Sequence, residues 1–149
     1  MDVVLFFVFL MTCMVPGLSG YLFKPGAWYA GLDKPSWTPP NVLFPIVWLI
    51  LYTSMSIAAT RIAIMPNNDL ALALWGLQIC INTLWSAVFF GKQKILLGAY
   101  IIAALWIAVL ATTAAFWPLD TTAAVLMVPY LGWGTFALAL NISVWHHNK

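Results

Sequence analysis

The chain has 149 residues, 64% of them hydrophobic and only 7% charged, with a net charge of +2 and a mean hydropathy of +0.96. Soluble domains carry about a quarter charged residues, so this composition excludes an ordinary water-soluble fold and points to an integral membrane protein. The charge is too small, and the basic residues too scattered, for nucleic acid to be a partner.

In chain order, residues 3–20 form the first apolar run, just long enough to span at about 20 residues per helix. Gly17 to Gly20 supplies the small residues of a signal-peptide cleavage site, but Asp2 stands where a secretory signal carries Lys or Arg. The run is read as a span. Trp28 to Trp48 follows, the one long polar and proline-rich interruption, with three of the nine tryptophans, four of the nine prolines and the pair Asp33–Lys34. Proline fixes φ and bulky rings pack in few ways, so this loop is stiff and expected to cover something beside the bundle.

The second span, 42–64, is expected to start with Thr38 as cap and Pro39-Pro40 in its first turn, to bend at Pro45, and to end near Arg61, which can snorkel to the headgroups. Asn68 or Asp69 can cap the third span, 70–90, which closes on Gly91 and the turn Lys92-Gln93-Lys94. The fourth covers 95–117, Pro118-Leu119-Asp120 makes a turn, and the fifth covers 121–145 before His146-His147. The expectation is an all-α bundle of five transmembrane helices with a long structured first loop, a single domain over 1–149. Lys24, Lys34, Lys92, Lys94 and Lys149 fall on one side and Arg61 alone on the other. By the positive-inside rule the first loop and the C-terminus face the cytoplasm and the N-terminus faces out.

No span holds an acidic or basic residue in its interior, which counts against an ion-coupled pump. Cys13 and Cys80 sit in different apolar runs and read as buried free thiols. His146 and His147 are adjacent, so their rings diverge, whereas a helical metal pair needs i and i+4; no metal site is expected. No Ser/His/Asp or Cys/His arrangement and no Gly-rich phosphate loop occurs.

Three spans repeat one kind of face. Pro45, Trp48, Tyr52 and Ser56 share a face of the second, Gln78, Asn82, Trp85 and Phe89 of the third, and Tyr130, Trp133, Ala137 and Asn141 of the fifth, where Pro129 is a second expected kink. Taken singly, such residues serve as interhelical glue or interface anchors. Three together fit one cavity with aromatic walls and a few polar groups. Small residues at Ala99 and Ala103, Ala104 and Ala108, and Gly76 and Cys80 suit close packing, between protomers or within the bundle.

Trp28-Tyr-Ala-Gly-Leu, Lys34-Pro-Ser-Trp-Thr-Pro-Pro40, Trp48 with Leu51-Tyr52, Gln78 with Asn82, Trp85 and Phe89-Phe90-Gly91, then Pro129-Tyr-Leu-Gly-Trp133, Phe136-Ala137 and Leu140-Asn141 run in order across nearly the whole chain. In these segments the chain resembles the tryptophan-rich sensory protein and translocator protein family (TspO/MBR, the peripheral-type benzodiazepine receptor family). The resemblance implies a five-helix membrane protein, commonly a homodimer, whose first loop closes a pocket in the cytosolic half; a bacterial membrane is the expected location, ahead of a mitochondrial outer membrane. It also implies a porphyrin such as protoporphyrin IX as ligand or substrate, with no cofactor required. In bacterial members two pocket tryptophans take part in light-dependent oxidative breakdown of the porphyrin; they match Trp48 and Trp133. The other pocket positions match Tyr29, Tyr52, Asn82, Trp85 and Ala137. The C-terminal sterol motif of animal members is broken here, with Ile142 and Ser143 where a Tyr would stand and no Arg, so sterol binding through it loses support.

The expectation is a planar tetrapyrrole between the second, third and fifth spans beneath the first loop, stacked on indoles. Asn82 and Gln78 offer donors, and Lys24 or Lys34 at the mouth meets the propionates. A carrier or sensor that leaves the porphyrin unaltered is the alternative.

Overall fold

The computed structural model describes residues 2–149. Its elements are α1 (Val3–Leu22), the short α2 (Ala27–Ala30), α3 (Leu43–Ala63), α4 (Asp69–Ser86, continued by a π turn at Ala87–Gly91), α5 (Ile95–Phe116) and α6 (Thr121–His147). Five helices of 20 to 27 residues, counting α4 with its π turn, are long and apolar enough to cross a membrane. The protein is an all-α, multi-pass integral membrane protein.

Neighbour contacts close a ring in the order α1, α3, α6, α5, α4 and back to α1. Polar side chains tie this ring together where no water competes. Ser19 Oγ donates to Thr83 O (2.8 Å), Ser54 Oγ to Leu126 O (2.8 Å) and Trp106 Nε1 to Thr135 Oγ1 (2.9 Å). At the end that carries Arg61, the core is dense: Ala58, Ala59, Ile62, Phe116, Ala123, Ala124 and Met127 are all 0% exposed. Small residues on both α3 and α6 let their backbones approach, the usual basis of helix association in lipid.

Several local expectations are corrected. Thr38 does not cap α3; its hydroxyl donates to Pro35 O (2.7 Å), and Pro39-Pro40 stay non-helical, so α3 starts only at Leu43. Pro45 therefore falls in the first turn, where its missing N–H has no partner to lose and no bend is required. Asn68 precedes α4 but makes no side-chain cap; its Nδ2 closes the end of α3 instead, on Ile62 O and Ala63 O (both 3.0 Å). Arg61 pairs with Asp120 at 2.8 Å rather than reaching freely for headgroups, and Asp120 caps α6 through Ala123 N–H (3.0 Å). Of the two free thiols, Cys13 is buried beside Ser56 (3.4 Å) whereas Cys80 lies on an exposed face. Ala99 and Ala108 pack inside the bundle, while Ala104 and Cys80 face outward.

Residues 24–42 form a roof over the other end of the bundle. Inside it, Lys34 Nζ donates to Tyr29 O (2.7 Å) of the one-turn helix α2 and to Leu32 O (2.8 Å) just beyond its end. Trp28 meets Phe89 at 5.7 Å, Tyr29 meets Phe90 at 5.4 Å, and Trp37 meets Phe136 at 5.6 Å between ring centroids. These edge-to-face contacts seat the roof on the π turn and on α6.

Candidate ligand-binding cavity

Beneath the roof the bundle is hollow. The cavity holds about 590 Å³ and is walled by α1, α3, α4 with its π turn, and α6, with Tyr29 of α2 above. This lies within the size range of small-molecule sites, which are mostly apolar with a few placed polar groups.

Trp48 and Tyr52, one turn apart on α3, present their rings side by side at 5.3 Å. Tyr130 of α6 meets Trp48 edge-on at 5.8 Å, a second ring contact besides that with Tyr52. On α4, Trp85 stacks on Phe89 at 5.0 Å and 20°, and its Nε1 donates to Asn141 Oδ1 (3.2 Å). Asn141 Nδ2 in turn donates to Ile95 O (2.9 Å), so both wall polar groups are committed. The π turn inserts an extra residue, and Phe89 and Phe90, although consecutive, both reach the cavity.

Asn82 is the contrasting polar group. It lines the cavity beside Tyr52, and its Nδ2 is buried with no hydrogen-bond partner in the structure, which leaves a donor for an acceptor that a small side-chain shift would bring within reach. Tyr29, 8% exposed, has its phenol pushed above the usual value by burial, which keeps it a neutral donor. Lys24 lies on the rim, beside the exposed rim residues Tyr21, Pro45 and Leu49 of α1 and α3.

Six of the eight residues singled out in the sequence meet here: Tyr29, Trp48, Tyr52, Asn82, Trp85 and Ala137. Two do not line the cavity. Gln78 is 0% exposed one turn below Asn82, its Nε2 facing Met55 Sδ at 3.8 Å and its Oε1 unpartnered. Trp133 sits one ring back, edge-on to Phe44 (5.7 Å) and stacked on Phe136 (5.3 Å), and it is Phe44 that reaches the cavity. Lys34 is likewise not on the rim, being spent on the carbonyls of the roof.

The wall formed by α1 was missed by the sequence reading, which placed the ligand between the second, third and fifth spans only. Pro16, Gly17 and Gly20 lie on the cavity, and a Cβ on Gly17 would stand 3.5 Å from Tyr52 Cε2. The spacing of these small residues, one turn apart in an otherwise bulky helix, was the available signal. Among the described residues no three His, Cys, Asp or Glu side chains gather as metal ligands.

Comparison with known proteins agrees with this architecture. The model of the TspO/MBR family matches residues 5–146. Protein CrtK of Rhodobacter capsulatus is 45% identical, over 99% of this chain and 95% of its own. A tryptophan-rich sensory protein of Cereibacter sphaeroides is 44% identical, over 99% of this chain and 94% of its own. The human translocator protein is 35% identical, over 81% of this chain and 75% of its own. With its five spans, its aromatic roof and these relatives along nearly its whole length, the chain belongs to the TspO/MBR family.

Proposed function

We propose that the protein binds a porphyrin of the protoporphyrin IX type in this cavity and promotes its light-dependent oxidative breakdown, with dioxygen as the oxidant. The observation that carries the reading is the cavity itself: about 590 Å³ between rigid rings, with a free buried donor on Asn82 and a cation, Lys24, at the rim. Each aromatic contact with the macrocycle adds about 0.5–1.5 kcal/mol beyond area burial. Lys24 suits a propionate at headgroup level, and the Asn82 amide suits an acceptor deeper in.

Two indoles line the cavity, Trp48 and Trp85; the family likeness assigns the reaction to Trp48, and an excited macrocycle exchanges an electron most readily with such an electron-rich ring. Trp133, behind Phe44, acts through that ring and contributes less. Illumination of the purified protein with protoporphyrin IX tests this: Trp48→Phe should retain binding and slow the loss of porphyrin absorbance. Bleaching at an unchanged rate in Trp48→Phe and in the Trp48→Phe, Trp133→Phe double variant would remove the catalytic role.

A second reading is favoured by the names of the relatives, a sensory protein and a translocator protein. In it the porphyrin is carried or sensed unaltered. A defined new pigment after illumination favours breakdown, and recovered porphyrin favours the carrier. The proposal places the roof and the C-terminus in the cytoplasm of a bacterial cell, by the lysine bias, and includes a homodimer, which cross-linking in a bilayer checks.

A further inference from the structure

We infer that Asn148, which caps the C-terminal end of α6, is the latch of the cavity roof and sets how fast a ligand enters and leaves. Its side chain bonds the backbone of Asp33 in both directions: Asn148 Oδ1 accepts from Asp33 N–H (3.0 Å) and Asn148 Nδ2 donates to Asp33 O (2.8 Å). The same Nδ2 also donates to Val144 O (2.7 Å), and Val144 lines the cavity. One amide thus joins the middle of the roof to a turn of the cavity wall, from 115 residues away in the chain.

Two features make this a latch. The roof is braced within itself, by Lys34 on Tyr29 O and Leu32 O and by Thr38 on Pro35 O, so its middle moves as one piece. Among the described residues, apart from the turn that starts α3, the hydrogen bonds joining residues 24–42 to another element are all made by Asn148. The other attachments are apolar, Trp28 and Tyr29 edge-on to the π turn, Trp37 on Phe136, and Leu32 against the cluster of Tyr29, Phe89, Leu140 and Val144, and such contacts are non-directional and tolerate sliding. Both bonds to Asp33 are solvent-exposed, so water competes for them and opening is inexpensive.

The inference rests on the porphyrin reading only for the probe. Stopped-flow quenching of tryptophan fluorescence by protoporphyrin IX, in the dark, compares the wild type with Asn148→Ala. Association and dissociation should both quicken by about tenfold, while their ratio stays within about twofold, because the latch touches no ligand. Asn148→Asp, which retains an acceptor for Asp33 N–H but no donor, should fall between. Unchanged rates, or a weaker affinity with association unaltered, would overturn the latch. Should the wild type not bind the porphyrin, that reading fails alone, and amide exchange decides the latch. Exchange about tenfold faster at the bonded Asp33 and Thr38 N–H groups in Asn148→Ala upholds it, and unaltered exchange refutes it.

Discussion

At the Arg61 end, α3 and α6 carry Ala58, Ala59, Ala123 and Ala124, all fully buried in one core, and only a small hollow of about 140 Å³ remains beside Arg61 and Asp120. At the roof end the same two helices carry Phe44, Trp48 and Tyr52 on one side and Ala137, Leu140 and Asn141 on the other, around a space of about 590 Å³. Small residues facing small residues close a helix pair in lipid; rings propped on other rings cannot collapse into the gap. Trp48 leans on Tyr52 and Tyr130, and Trp85 on Phe89, so the hollow is held open by its own walls. The difference between the ends is one of side-chain size at matched positions, not of helix type.

The sharpest way to break that comparison is to make one substitution at both ends of α6. Ala124→Leu adds volume where nothing yields, and overpacking there should cost about 1–3 kcal/mol, read as a lower thermal midpoint in detergent. Ala137→Leu, thirteen residues on, grows into the cavity. It should leave the midpoint nearly unmoved while weakening porphyrin binding about tenfold, some 1.4 kcal/mol. If both variants lose stability equally, the hollow is not there.

The closed end also carries the titratable fastener. Burial pushes the Asp120 carboxyl up, but the Ala123 and Thr122 N–H groups and the Arg61 guanidinium outweigh it and hold it below its ordinary 3.8. A carboxylate whose value is depressed on folding stabilises above its unfolded value, and the stabilisation is lost as pH falls through the depressed one. Acid below about 3.8 should therefore loosen the Arg61 end, and Asp120→Ala, about 1 kcal/mol less stable at neutral pH through its lost cap, should flatten that part of the curve. The smallest effect is expected at Gln78. Its Oε1 is buried without a partner and it does not face the cavity, so Gln78→Leu should leave porphyrin affinity unchanged and stability equal or slightly raised.

The five spans were legible in the sequence because a run of about 20 apolar residues between Gly, Pro and charged turns has few other uses. Five cavity residues, Trp48, Tyr52, Asn82, Trp85 and Ala137, were legible because aromatic, amide and small groups recurred at helical spacing, while Tyr29 came from the family resemblance alone. Three things were not. In a membrane, α1 is apolar all round, so its lipid and cavity faces look alike except for Pro16, Gly17 and Gly20. Spacing places Trp133 on the right side of α6 but is blind to Phe44, which comes from another helix and stands between it and the cavity. The pairings Arg61–Asp120 and Asp33–Asn148 join residues far apart in the chain, and no local pattern announces them.

The central claim is that one cavity, walled by rings and floored at Asn82, takes a planar tetrapyrrole. A dark titration of wild type and Ala137→Leu with protoporphyrin IX, followed by tryptophan fluorescence, tests it most directly. The account predicts saturable quenching at one site in the wild type and about tenfold weaker quenching in the variant. Quenching that never saturates, or that is the same in both proteins, would contradict it.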